Sequence, residues 1–158
     1  MIKITKEKLL KASIAGIFST ITIGILTLLT YKATMGLFLT ASFGASMVLL
    51  YGFPESPFAQ PKNVFFGHLL TALIGVLFVN YIHLPIFINI ALAVGIGIFF
   101  MIALDVVHPP AGGNPIMVII EGVSYEYLIS PIIFGCLIIL LFGIILNKFI
   151  LKKNYPLK

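Results

Sequence analysis

The sequence predicts an all-α integral membrane protein. It should hold about four full transmembrane helices plus two short broken or re-entrant half-helices, arranged as two internal repeats. Three observations carry this reading. The 158 residues are 60% hydrophobic and 9% charged, with a mean hydropathy of +1.16, whereas soluble domains hold about a quarter charged residues. A chain this short buries only about two-thirds of its surface on folding, so its apolar excess must face lipid. Apolar runs near the ~20 residues a bilayer requires recur along it, broken by proline- and glycine-rich pieces. One compact membrane domain over 1–158 is expected, with no soluble domain attached.

Met1 to Lys11 is lysine-bearing and amphipathic, and reads as an interfacial lead-in to a retained first helix rather than a cleaved signal. Ala12 to Thr30 is the first span, and Tyr31, Lys32 and Thr34 form its polar exit. Met35 to Tyr51 is apolar but rich in small residues, among them Gly36, Ala41, Ser42, Gly44, Ala45 and Ser46. Gly52 to Asn63 carries three prolines and must be a loop. Val64 to Ile82 and Ile86 to Leu104 span, joined by His83-Leu84-Pro85. Asp105 to Pro115 breaks the helix, Ile116 to Ile120 is too short to cross, and Glu121 to Ser130 has an interfacial composition. Pro131 to Phe149 is the last span.

All ten basic residues are lysines. Lys3, Lys6, Lys8 and Lys11 precede the first apolar run, and Lys148, Lys152, Lys153 and Lys158 follow the last. Basic flanks stay cytoplasmic, which places both termini on the cytoplasmic side of the cell membrane. No basic patch is interleaved with exposed aromatics, so nucleic acid is not a partner. Cys136 is the single cysteine, excludes an intrachain disulfide, and reads as a packing residue. No metal site is expected, because His68, His83 and His108 are far apart and the carboxylates scattered. No nucleophile elbow is present, so no enzymatic chemistry and no cofactor are expected.

The halves resemble each other. Met47 to Gly52 matches Met117 to Gly122, and Gly67 and Gly75 match Gly135 and Gly143. Each unit is a long helix, a short broken element and a long glycine-bearing helix, over about 12–82 and about 86–150. Transporters are often built this way, with the solute site between repeats. If the short elements are re-entrant, four spans result and Lys62 lies outside. If they cross, six result and Lys62 lies inside with the termini. The shortness of Ile116 to Ile120 favours the first.

Asp105-Val-Val-His108-Pro109-Pro110-Ala-Gly112-Gly113-Asn114-Pro115 is the stretch to examine for a solute path. Hydrocarbon penalises ionisable groups and irregular backbone, so such a segment needs protein or water around it. The repeat sets Ala41-Ser42-Phe43-Gly44-Ala45 opposite Ala111 to Pro115. Both start short helices, whose N-termini favour anions. Two such ends meeting near the midplane would bind an anion without a buried arginine.

The motif Asp105 to Gly112, with Ser42 to Ser46, Gln60-Pro61-Lys62-Asn63 and Gly67-His68 in order, resembles the HPP family of integral membrane proteins. The similarity runs roughly from Thr20 to Phe142. It implies four spanning helices. Because plastid and cyanobacterial members are implicated in nitrite transport, it also implies passage of nitrite or a similar small monoanion. Family members commonly continue the motif with Ala-Thr or Ala-Ser, whereas this chain has Gly113-Asn114-Pro115.

The site residues are therefore His108, Pro109, Pro110, Gly112, Gly113, Asn114, Ser42, Gly44, Ser46, His68 and Lys62, with Asp105 and Asn63 as helix or turn caps. His108 either binds the anion or shuttles a proton, or holds the turn through backbone hydrogen bonds. The prolines and glycines set backbone geometry. His68 reads equally as functional or as packing, and Lys62 as an anion attractor or a headgroup-facing lysine. Glycine faces at Gly67/Gly75 and Gly135/Gly143 suit contact between copies, and homo-oligomers are expected. A small-anion permease is the favoured function, with a non-transporting membrane scaffold or subunit as the alternative.

Overall fold

The computed structural model describes residues 4–32 and 37–157. Thr34, Met35 and Gly36, together with Lys3 and Lys158 of the basic flanks, lie outside the described residues. The helices are α1 (Lys6–Lys32), α2 (Ala41–Met47), α3 (Pro61–Tyr81), α4 (Ile86–Ala103), α5 (Asn114–Glu121) and α6 (Phe134–Ile144). Among the described residues there is no strand. A π-helical turn continues α2 through Val48–Gly52, and two more flank α6 at Leu128–Ile133 and Ile145–Ile150. Four stretches are long and apolar enough to cross a bilayer: Lys6–Lys32, Pro61–Tyr81, Ile86–Ala103 and Leu128–Ile150.

Contacts define two ends of the bundle. At one end the Lys11 ammonium lies over the Phe53 ring. There too the Tyr155 hydroxyl donates to the Ala59 carbonyl and the Leu157 N–H to Gln60 Oε1. The start of α1, the loop before α3 and the C-terminal segment thus share this end. At the other, the Phe38 N–H donates to Thr30, and Tyr125 meets Tyr81.

The short elements are broken but not re-entrant. The segment from Phe38 to Phe53 runs from beside Thr30 back to beside Lys11, antiparallel to α1. The segment from Val106 to Glu121 starts beside the first turn of α3 and runs along it, with Val118 against Gly75. Each therefore links opposite ends, and the chain passes through the bundle six times. Lys62 lies on the end that holds the start of α1 and the C-terminal segment. The four long spans match expectation; the short pieces complete crossings because extended chain supplies the length their helices lack.

The order long, short, long occurs twice, in opposite directions. The third helix of each half packs against the short element of the other. A Cβ on Gly67 would sit 2.9 Å from His108 Cβ, and one on Gly75 2.9 Å from Val118 Cβ. On α6, Gly135 lies against the Phe43 ring and Gly143 against Leu50. These four glycines were expected to face other copies of the chain. They are instead consumed within the protomer, where each short element needs a smooth groove to approach the backbone. Between α1, α2 and α6 the core holds Leu26, Phe43, Leu50, Ile139 and Leu146, all fully buried.

Helix ends explain the turn before the motif. Val106 N–H donates to Met101 O and Asp105 N–H to Ile102 O, a Schellman pair that closes α4. This motif requires a left-handed residue, and Asp105 takes it with φ 53°. Gly122 does the same after α5, at φ 60°.

Candidate functional site

The two broken passages meet where both helices begin. Ser42, in the first turn of α2, donates to Oδ1 of Asn114, the first residue of α5, at 2.7 Å. From there α2 and α5 run to opposite ends. Around this junction Ser46, His68, Thr71, His108 and Asn114 are fully buried, and Ser42 nearly so.

Their hydrogen bonds form one directed chain. His108 Nδ1 lies 2.7 Å from the Phe58 carbonyl, which can only accept, so Nδ1 carries the hydrogen. Nε2 of the neutral ring is then an acceptor, and Ser46 Oγ donates to it at 2.8 Å. Ser46 has one hydrogen, so His68 Nε2 must donate to its oxygen, at 3.0 Å. His68 Nδ1 then accepts from Asn114 Nδ2 at 3.0 Å. The amide is held in that sense, since Nδ2 also reaches the His68 carbonyl and Thr71 Oγ1. Ser42, Asn114, His68, Ser46 and His108 each donate to the next group, and the Phe58 carbonyl sets the direction for all. The two rings stack edge-on, with centroids 4.9 Å apart.

A second strand of bonds leads outward. The Tyr127 hydroxyl donates to Thr40 Oγ1 at 2.9 Å, and Thr40 lies 3.5 Å from Ser42 Oγ. Beside Thr40 opens a cavity of about 460 Å³, bordered by Thr30, Ala41, Gly44, Glu121 and Tyr127. It reaches the rim of the junction at Thr40 and Ala41 but is bordered by neither histidine, and the Phe43 ring packs edge-on against His68.

The remaining expected residues fall into three groups. Pro109 and Pro110 open the 3₁₀ turn Pro109–Gly113, which runs straight into α5. Neither has an N–H, the Ala111 N–H is bound to the His108 carbonyl, and that of Asn114 to Ala111. The start of α5 thus offers few bare peptide donors, and the junction is polar through side chains instead. Gly44, Gly112 and Gly113 are each unpacked: a Cβ on any of them meets no atom within 4 Å. Lys62 and Asp105 lie away from the junction, pairing at 3.3 Å with 57% and 95% of their side chains exposed.

Two capping roles are corrected. Asn63 does not cap α3, because Pro61 already occupies its first turn; its Nδ2 instead donates to the Val107 carbonyl and ties the motif to α3. The Asp105 carboxylate is bonded to Lys62 rather than to the turn after it. Sequence reasoning missed Thr71, Thr40, Tyr127 and the Phe58 carbonyl. Thr71 falls one helical turn after His68, a spacing that could have flagged it. A backbone carbonyl carries no signal in sequence.

An all-helical bundle of six passages, with a neutral polar junction where two broken ones meet, defines a multi-pass membrane protein. The chain belongs to the HPP family: the family model for the HPP transmembrane region matches residues 4–156. It is similar to two curated transmembrane proteins of Dictyostelium discoideum. One is 36% identical over 127 residues, covering 75% of this chain and 44% of the relative. The other is 34% identical over 142 residues, covering 84% and 46%. The chain spans less than half the length of these relatives. No solved structure matches it.

Proposed function

We propose that this protein passes a small monovalent anion across the membrane, without chemical conversion, and that nitrite is the first substrate to test. The observation that carries this reading is the Ser42–Asn114 bond, which joins the starts of two broken passages inside the bundle. Broken helices at the interface of two halves are where membrane transporters bind solutes. The opposed directions of the halves, and the exchange of their short elements, support reading them as inverted repeats. The path runs along the open side of the junction, past Gly44, Gly112 and Gly113, and a second copy of the chain closes it. Every described lysine except Lys32 lies at the end with the termini, which supports a cytoplasmic location for that end of a cell-membrane protein.

Proteoliposomes test this directly. Nitrite uptake should exceed that of protein-free vesicles, and nitrate, formate and chloride should compete to different degrees. Gly44→Leu and Gly112→Leu should abolish uptake while the protein still folds, because both positions face open space. Unchanged flux in both variants rejects the path.

A second reading, a non-transporting scaffold or subunit, is favoured by one observation. Every side chain of the junction is already partnered, as expected of a purely structural network. Vesicles that stay tight to all four anions would select it.

A further inference from the structure

The end of the bundle that carries both termini holds a cavity of about 420 Å³, walled by three separate stretches of chain. The first turns of α1 contribute Glu7, Leu10, Lys11 and Ile14; the π-helical turn after α2 contributes Tyr51 and the loop beyond it Glu55; the C-terminal segment contributes Leu151 and Lys153. Two ammonium groups and two carboxylates therefore border one space. They do not neutralise each other, since the only ion pair among the described residues is Lys62–Asp105. Lys11 instead rests over the Phe53 ring at 4.9 Å. The Tyr51 hydroxyl is bound to Thr22 at 2.6 Å, so it lends the cavity an apolar ring rather than a free donor. Leu10 is 63% exposed on the flank of α1.

Each feature selects part of a ligand. Separated charges of both signs suit a molecule that itself carries both, at a spacing that lets each reach its counterpart. Lysines bind phosphate as point charges. Carboxylates bind a primary ammonium through charge-assisted hydrogen bonds, which a quaternary ammonium has no N–H to make. The cavity lies at the lysine-bearing start of α1, where basic flanks favour the headgroup region, and Leu10, Ile14 and Leu151 form its apolar side. We propose that this cavity holds the headgroup of a phospholipid bearing a phosphate and a primary amine, of which phosphatidylethanolamine is the simplest, with an acyl chain lying along Leu10 and Ile14. The bound lipid ties α1, the α2–α3 loop and the C-terminal segment together.

Native mass spectrometry of the delipidated protein, titrated with phosphatidylethanolamine, phosphatidylcholine and phosphatidylglycerol, tests the assignment. One phosphatidylethanolamine per protomer should bind about tenfold more tightly than either other lipid, the factor that about one charge-assisted hydrogen bond confers. Glu7→Gln with Glu55→Gln should erase the preference over phosphatidylcholine, and Lys11→Ala with Lys153→Ala should weaken all three. Soluble phosphoethanolamine at the same concentrations should not compete, because it lacks the acyl chain. Equal binding of the three lipids overturns the proposal, as does a preference that survives in both double variants. Full competition by phosphoethanolamine overturns the lipid as occupant. The comparison of lipids on the unmodified chain decides the matter even if a variant fails to fold.

Discussion

The passage through Ala41–Gly52 brings hydroxyls to the junction, and the passage through Val106–Glu121 brings an imidazole and an amide. A hydroxyl both donates and accepts and can turn. A histidine tautomer and an asparagine amide have a sense, which their fixed partners hold. The second passage thus sets the direction of the network, through the Phe58 carbonyl at one end and the His68 carbonyl beside the amide. The first passage carries that direction across, through Ser46. The two passages also differ at their open sides. Gly44 borders the cavity near Tyr127, while Gly112 and Gly113 are half-buried in a turn that begins with two prolines.

The comparison breaks most readily at Ser46. Ser46→Ala strands a buried acceptor on His108 and a buried donor on His68, at roughly 1–3 kcal/mol for each group. Ser42→Ala strands only Asn114 Oδ1 and should cost about half as much. Thermal unfolding in detergent should therefore rank Ser46→Ala clearly below Ser42→Ala; equal midpoints would mean the serines do not divide the work as described.

Glycines give the next largest effect. Gly67→Ala drives a Cβ to 2.9 Å from His108 Cβ and 3.0 Å from the Val106 carbonyl, and overpacking of this kind costs about 1–3 kcal/mol. Gly44→Ala meets open space and adds helix propensity of about 0.5–1 kcal/mol to α2. The two substitutions should move the unfolding midpoint in opposite directions.

Protonation sharpens the contrast between the histidines. If His108 Nε2 gains a proton, Ser46 can accept from it and turn its own hydrogen to the Ser42 carbonyl, 3.1 Å away. If His68 Nδ1 gains one, it faces the Asn114 amide donors. His108 is thus the ring that can titrate without losing a bond. Any dependence of uptake on pH should vanish in His108→Gln. A pH response unaltered in that variant would remove His108 from the role.

The smallest effect belongs to the charged end. Lys62→Ala breaks an exposed pair worth about 0–1 kcal/mol. It should leave stability within that margin, and any loss should shrink further in high salt. A drop in uptake with stability intact would show that Lys62 serves the solute rather than the fold.

Much of the architecture was legible in the chain. The long spans, the break at Asp105 to Pro115 and the pairing of Ser42 with the Asn114 region all followed from residue order, because lipid penalises every unpaired peptide group and leaves few ways to place a broken helix. Crossing number was not legible: Ile116 to Ile120 is too short to span, and only the extended chain beside it shows that the passage is completed. The glycine pairs were visible as grooves, but nothing in their spacing says whether another copy or the same chain fills them.

Composition and patterning by themselves made this an all-helical membrane protein with polar breaks at two places, since apolar surface in such excess has no solvent but lipid. Which groups meet at those breaks was decided by tertiary structure alone. His68, Ser46 and His108 are distant in sequence, and hydrogen bonds reach only about 3 Å. Folding must bring three passages together before a serine hydroxyl can join two imidazoles and a remote carbonyl can choose their tautomers.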